Sequence, residues 1–126
     1  FAAVCNVVLN TIYTEDGIIR CNDVQKVIYS KPRFYYFSQP KLISIENTIN
    51  GWDGKIFPID ELKKLKNFAQ KNNMNIHLDG ARIFNAHVKT NIPLSEYAAQ
   101  VDTMSVCLSK GLGAPYGSVL MGKKNI

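Results

Sequence analysis

The segment MNIHLDGARIFNAHVK, residues 74–89, decides the fold that the sequence predicts. Its first half alternates polar and apolar residues, which is typical of a β-strand, and ends in the charged positions Asp79 and Arg82. Its second half places apolar residues at helical spacing. A strand that passes through a short turn into a helix is typical of strand–helix–strand units, so the segment predicts a parallel sheet.

The same alternation of apolar runs and amphipathic segments extends over the chain. Strands are predicted in CNVVL (5–9), KLISIEN (41–47) and DTMSVCLS (102–109), and shorter helices in CNDVQKVIYSKP (21–32) and PLSEYAAQ (93–100). The clearest helix follows Pro58, with its apolar residues at helical spacing and with Lys63, Lys64 and Lys66 facing outward. The sequence therefore predicts an α/β fold with a mainly parallel sheet and helices on both faces.

The composition excludes several classes of protein. Of the 126 residues, 46% are hydrophobic, which fits one globular domain or part of one, and no apolar run is long enough to span a bilayer. The three cysteines show no CxxC spacing, which argues against a disulfide framework and against a metal site. The net charge of +5 is spread along the chain, so we expect no nucleic-acid partner.

The two ends of the chain give two further expectations. The N-terminus, FAAVCNVVLN, lacks the basic start and the small-residue cleavage site of a signal peptide, so we expect a cytoplasmic protein. The chain begins with Phe1 rather than Met and opens directly on an apolar run. We therefore expect it to be part of a longer polypeptide.

Polar residues follow the predicted strands at the point where each strand ends. They are Glu46–Thr48, His77, Asp79–Arg82 and Ser109–Lys110. Ligands of parallel sheets bind at the carboxyl ends of the strands, where such residues meet. We expect Asp79, Arg82 and Lys110 to lie at one rim, and His77, between Ile76 and Leu78, to be a structural histidine.

The segment VCLSKGLGAPYGSVLMG, residues 106–122, places Lys110 among glycines. A lone lysine in such a turn is usually a solvated loop residue, but a lysine beside a carboxylate has a use in pyridoxal 5′-phosphate (PLP) chemistry. The amine binds the cofactor aldehyde, and the carboxylate keeps the pyridine nitrogen protonated. The stretch GLGAPYG does not fit a dinucleotide fingerprint, because its spacing is GxGxxxG and Pro115 interrupts the helix that should follow.

Two motifs together resemble the L-threonine aldolase family of fold-type I PLP enzymes. They are HLDGARIFNA (77–86) and VDTMSVCLSKGLGAPYGSVLMG (101–122), and LISIENT (42–48) and GKIFPIDELKKLK (54–66) upstream agree with them. The resemblance implies a fold-type I large domain. It also implies a lyase that cleaves L-threonine or similar β-hydroxy-α-amino acids into glycine and an aldehyde, in a homotetramer or homodimer.

The resemblance also assigns roles to individual residues. Lys110 matches the lysine that binds the PLP aldehyde, and Asp79 matches the carboxylate at the pyridine nitrogen. Arg82 matches an arginine near the cofactor hydroxyl and the substrate carboxylate, and Ser109 is a neighbour of the phosphate. The family's histidine near the substrate hydroxyl falls on Tyr36 in this chain. Ile49 follows the ENT motif, where the family usually has another histidine.

Members of this family are more than twice as long as this chain. We therefore expect residues 1–126 to be part of a single PLP-binding large domain, without the N-terminal phosphate cradle and the C-terminal small domain. Taken alone, such a chain is expected to hold the cofactor weakly and to have little activity. Two alternatives stay open, namely a catalytically silent fragment that assembles with a partner chain and another fold-type I enzyme, such as a β-eliminating one.

Overall fold

A computed structural model of the protein describes residues 2–32 and 34–123. The helices are α1 (Ala2–Cys5), α2 (Cys21–Tyr29), α3 (Ile59–Lys71), α4 (Ile83–Thr90) and α5 (Leu94–Ala98), and the strands are β1 (Leu42–Glu46), β2 (Asn75–Asp79), β3 (Thr103–Cys107) and β4 (Ser118–Gly122). The segment 74–89 folds as predicted, since it forms β2, a turn and α4. None of the helices in the described ranges combines the length and the apolar character that crossing a bilayer requires.

The four strands form one sheet in the order β1-β2-β3-β4. The first three are parallel, because α3 connects β1 to β2, and α4 and α5 connect β2 to β3. β4 follows β3 after a loop and pairs with it antiparallel. The prediction of an α/β fold with a mainly parallel sheet is confirmed.

Alternate side chains along each parallel strand are buried, and they all lie on one face of the sheet. This face packs in a single core with residues of α3, α4 and α5. The sheet contributes Ile43, Ile45, Ile76, Leu78, Met104 and Val106, and the helices contribute Leu62, Leu65, Ile83, Ala86 and Tyr97. The other face carries Ser44 and Asp79, which are exposed, and His77, which is half-buried. The helix cover that the sequence predicts for both faces is therefore present on one face of the described structure.

Helix α3 shows why the predicted elements form. Pro58 precedes it with φ −64°, and Asp60 and Glu61 stand in its first turn, where a helix favours negative charge. One detail of the prediction is wrong. Lys66 does not face outward but is buried, with its Nζ atom 2.8 Å from Oδ1 of Asp102. It lies four residues after the buried Leu62, on the same face of the helix.

The N-terminal segment differs most from its prediction. CNVVL does not form a strand, because α1 ends at Cys5 and residues 6–9 are exposed and irregular. Val7 and Val8 favour strands by their side-chain shape, but β-propensity has effect only where a neighbouring strand offers a pairing partner. No strand of the described sheet pairs with them.

Candidate active site

The carboxyl ends of β1, β2 and β3 form a rim, and this rim carries the predicted site. Asp79 is the last residue of β2, and the strand register aligns it with Glu46 of β1 and with Ser105 of β3. Residues in register point to the same face of a sheet, here the open one. Asp79 is therefore exposed at the rim, with a second carboxylate beside it.

The turn after β2 is tightly fixed by backbone hydrogen bonds. Asp79 accepts a hydrogen bond at Oδ1 from the N–H group of Ala81 (3.0 Å), and Gly80 donates one to the carbonyl of Ser105 (2.8 Å). A side chain at position 80 would bring its Cβ atom to 2.9 Å from that carbonyl, so only glycine allows this approach. The turn thus holds Asp79 in place and starts α4 directly after Arg82.

Arg82 reaches from this turn towards β1. Its Nη1 atom lies 3.6 Å from Oε1 of Glu46, and the two side chains are 28% and 34% exposed. The separation exceeds hydrogen-bond distance, and in the described residues the guanidinium donates no hydrogen bond at all. All five of its N–H donors therefore stay available to an anionic ligand.

Lys110 lies in the loop between β3 and β4. The loop is closed at its base, where the N–H group of Leu108 donates to the carbonyl of Gly117 (2.9 Å) and the carbonyl of Leu108 accepts from Ala114 (3.0 Å). Gly113 has a φ of +68°, which favours glycine at that position. Lys110 itself is exposed and, within the described ranges, forms no ion pair, and its neighbour Ser109 is exposed as well.

The loop lies against the first turn of α4. A Cβ atom added to Gly111 would meet Oδ1 of Asn85 at 3.2 Å and Cβ of Phe84 at 3.5 Å, so the backbone next to Lys110 touches the residues that follow Arg82. β3 is also the sheet neighbour of β2, at whose end Asp79 stands. The structure therefore brings Asp79, Arg82, Ser109 and Lys110 to one rim.

Tyr36 lies elsewhere. Its ring stacks on Phe34, with ring centroids 5.6 Å apart, and meets Tyr35 edge-on at 5.1 Å. Phe34 and Tyr35 line a cavity of about 530 Å³ together with Lys41 and Met74, which directly precede β1 and β2. This cavity is at the amino ends of the strands, and a five-residue strand is about 16 Å long. The structure does not bring Tyr36 to the rim that holds Asp79 and Lys110 in the same chain.

Glu46 has a larger part in the site than the sequence assigns to it. It is among the polar residues at strand ends, but the motifs give it no chemical role. The signal that marks it is positional, because Glu46 ends β1 as Asp79 ends β2. His77 lies on the open face of the sheet with its Nδ1 atom 2.8 Å from Oγ1 of Thr103, and its structural role stays a prediction.

The functional groups at the rim suit a PLP-like cofactor. They include an amine without an ion pair, a carboxylate whose Oδ2 atom makes no hydrogen bond in the described residues, and a guanidinium with unused donors. A lysine amine reacts with an aldehyde, a carboxylate pairs with a protonated ring nitrogen, and a guanidinium binds carboxylates. The residues present therefore fit the reactive end of such a cofactor.

Comparison with known proteins agrees with this site. The profile of the beta-eliminating lyase family matches residues 2–126. The chain is 46% identical to the low-specificity L-threonine aldolase of Candida albicans over 76% of this chain and 25% of that protein. It is 42% identical to the low specificity L-threonine aldolase of Escherichia coli K12 over 87% of this chain and 32% of that protein.

A solved structure shows the same fold. The threonine aldolase of Leishmania major superposes with a TM-score of 0.81 and 24% identity, over 91% of this chain and 34% of that one. The chain thus spans about a quarter to a third of the length of the relatives that it matches. These matches confirm the resemblance to L-threonine aldolases that the motifs indicate, and the chain belongs to the beta-eliminating lyase family.

Proposed function

We propose that the chain is the cofactor-binding core of a PLP-dependent aldolase that cleaves L-threonine and similar β-hydroxy-α-amino acids into glycine and an aldehyde. One observation carries the proposal: Asp79 and Lys110 stand at the carboxyl ends of two adjacent parallel strands, and neither forms an ion pair within the described residues. The threonine aldolases among the relatives, from yeast and from bacteria, support the substrate class.

Each residue at the rim then has a role. Lys110 would hold the cofactor through its amine. Asp79 keeps the ring nitrogen protonated through its unused carboxylate oxygen. Arg82 binds the substrate carboxylate with its free donors and orients the bond to be broken. Ser109 is a hydrogen-bond donor for the phosphate.

The reaction is redox-neutral and moves one proton from the β-hydroxyl group to Cα. The β-hydroxyl group loses its proton as the Cα–Cβ bond breaks and the aldehyde forms, and Cα gains a proton to give glycine. When bound, the cofactor supplies an acceptor for the electrons of the broken bond. Because Tyr36 lies at the other end of the sheet, we assign it no step at this rim, and its predicted contact with the substrate hydroxyl stays a prediction.

A spectroscopic experiment tests the cofactor assignment. Adding PLP to the full-length protein should produce a visible absorbance band, and borohydride reduction should then fix the cofactor mass on the peptide that contains Lys110. Lys110→Ala should lose both signals, while Lys89→Ala, which removes an exposed lysine of α4, should keep both. Cofactor mass on a different lysine, or none on the wild type, would contradict the proposal.

Product analysis tests the reaction. Acetaldehyde and glycine released from L-threonine in equal amounts would support an aldolase. The family profile, which is described as that of a beta-eliminating lyase, favours β-elimination as a second candidate. That reaction would release ammonia and a keto acid instead of glycine, so one assay of the products decides between the two candidates.

The cytoplasmic location and the homotetramer or homodimer that the sequence predicts remain predictions. Size measurement of the full-length protein by light scattering, with and without PLP, checks the oligomeric state. The open face of the sheet and the strand β4, whose five residues are all exposed, favour an assembly in which further chain segments cover them. A PLP-binding monomer would contradict the predicted assembly.

A further inference from the structure

Two carboxylates at the rim stand close enough to compete for one arginine. Glu46 and Asp79 are paired in the register of neighbouring strands, whose backbones are about 4.8 Å apart, and both face the open side of the sheet. Arg82 follows Asp79 by three residues across a tight turn. A long side chain that approaches one of these carboxylates is therefore within reach of the other.

The structure pairs Arg82 with Glu46 and not with Asp79. The distance between Nη1 of Arg82 and Oε1 of Glu46 is 3.6 Å, whereas Asp79 forms no ion pair within the described residues. The only hydrogen bond to the Asp79 carboxylate in those residues comes from the N–H group of Ala81 and occupies Oδ1. Its Oδ2 atom is left free.

This choice matters for the proposed chemistry. If Arg82 formed a bidentate pair with Asp79, it would occupy the oxygen that the protonated ring nitrogen needs, and it would use the donors that bind a substrate carboxylate. A second carboxylate that attracts the arginine towards β1 prevents both losses. The contact with Glu46 is longer than a hydrogen bond, so it orients the guanidinium without using its donors.

Glu46 is also well placed for this role, because its own position is fixed. It ends β1 within the ladder to β2, and the next residue, Asn47, donates its N–H group to the carbonyl of Asp79 (2.9 Å). The Asn47 side chain is buried and accepts a hydrogen bond at Oδ1 from the N–H group of Phe57 (3.1 Å). The carboxylate of Glu46 is thus attached to a rigid backbone, and the longer side chain of the pair is that of Arg82.

We propose that Glu46 is a positioning residue that holds Arg82 away from Asp79, and so keeps Asp79 available to the ring nitrogen of the cofactor. The inference rests on the proposed PLP site for its consequence, but the competition between the two carboxylates exists without any ligand. Loss of the Glu46 charge transfers Arg82 to Asp79.

The first test is structural and needs no cofactor. In a crystal structure of the cofactor-free full-length Glu46→Gln variant, the guanidinium of Arg82 should lie within hydrogen-bond distance of Asp79, about 3 Å. Glutamine keeps the size and the acceptor oxygen of the side chain and removes only its charge. An Arg82 that stays beside position 46 or extends into solvent would overturn the inference.

The second test measures PLP affinity, by titration of the visible absorbance band. We expect Glu46→Gln to weaken PLP binding about tenfold, which corresponds to about 1.4 kcal/mol. Adding Arg82→Met to this variant should restore the affinity to that of Arg82→Met alone, since the competitor for Asp79 is then gone. A merely structural role of Glu46 predicts no such rescue.

The two tests separate this inference from the proposed function. A wild-type protein that binds no PLP would refute the proposed function, and the cofactor-free crystal structure would then decide on Glu46 alone. Unchanged PLP affinity in Glu46→Gln, or a weakened affinity that Arg82→Met fails to rescue, would overturn the inference while leaving the PLP site intact.

Discussion

The two ends of the sheet differ in how completely their charged side chains are paired. At the amino ends of the strands, the buried Asp102 accepts hydrogen bonds from Lys66, from Lys123 and from the backbone N–H group of Ile76. At the carboxyl ends, Asp79 and Lys110 form no ion pair within the described residues, and the single charge contact of Arg82 is 3.6 Å long. We call the first group the Asp102 cluster and the second the rim.

The difference separates stability from ligand binding. The Asp102 cluster joins α3, β2 and the residue that follows β4. Its charged groups bind one another and thereby stabilise the sheet. Charges at the rim are held by backbone turns and keep their hydrogen-bonding capacity for a ligand. Functional sites commonly leave such interactions unused in the free protein, at some cost in stability.

Substitution of Asp102 should have the largest effect on stability. In Asp102→Ala the ammonium of Lys66, which is buried, loses its counter-charge, and such losses cost about 3–5 kcal/mol of unfolding free energy. Asp79→Ala, at the rim, should cost about 1 kcal/mol or less, because it removes one partly exposed hydrogen bond. Urea unfolding of the cofactor-free proteins measures both values, and similar costs would remove the contrast between the two ends.

The unfolding free energy should depend on pH because of the Asp102 cluster. Burial opposes the charge of Asp102, but the hydrogen bonds from Lys123, Lys66 and Ile76 outweigh it and lower the pKa of Asp102 to about 2. An unfolded aspartate has a pKa of about 3.9. Since the folded pKa is the lower one, the stabilisation is complete above about pH 4 and is lost as the pH falls towards 2.

The size of this pH effect should be on the order of 2 kcal/mol, and Asp102→Asn should lack it. Urea midpoints of both proteins between pH 5 and pH 2 give the measurement. Asp16, whose pKa is also lowered by its hydrogen bonds to Arg20 and Ile18, is present in both proteins, and its contribution cancels in the comparison. Parallel curves for the two proteins would show that Asp102 is not linked to folding.

A smaller, local effect is expected for Lys123. Its side chain is 55% exposed, and Lys66 remains with Asp102 when Lys123 is replaced, so Lys123→Met should cost only about 1 kcal/mol. Lys123 directly follows β4, and its N–H group donates to the carbonyl of Asp102. Amide hydrogen exchange should therefore quicken in β4 and stay unchanged in the ladder between β1 and β2. Uniform changes over the sheet would contradict this local role.

The sequence predicts the rim better than it predicts the Asp102 cluster. Asp79 and Lys110 follow apolar runs, and the rule that parallel strands end at one edge places them together without any knowledge of side-chain contacts. The prediction for Lys66 is wrong because it follows the residue type, which favours solvent, rather than the position on the helix. Its spacing from Leu62 and Ala69 marks the buried face, but a buried lysine needs a partner, and Asp102 is 36 residues away in the chain.

Two further differences have physical causes of the same kind. The CNVVL segment has the side chains of a strand, but strands form only in pairs, and a sequence does not show which strands are present to pair with it. Tyr36 has its predicted role only from the resemblance to a family motif, whereas its segment directly precedes β1 and lies at the opposite end of the sheet. The first difference depends on pairing partners distant in sequence, and the second on the position of the segment before its strand.

The smallest effect on stability is expected at Arg82, where a loss of ligand binding should be largest relative to the loss of stability. Arg82→Lys keeps the charge but loses the planar fork of donors, and the present contact with Glu46 is too long to be a hydrogen bond. The unfolding free energy should therefore change by less than about 0.5 kcal/mol.

If Arg82 binds the substrate carboxylate, the KM for L-threonine should rise roughly tenfold while kcat changes less. Steady-state kinetics together with urea unfolding measure the two quantities on the same sample. A large loss of stability with unchanged KM would place Arg82 with the Asp102 cluster, as a residue that supports the fold rather than the ligand.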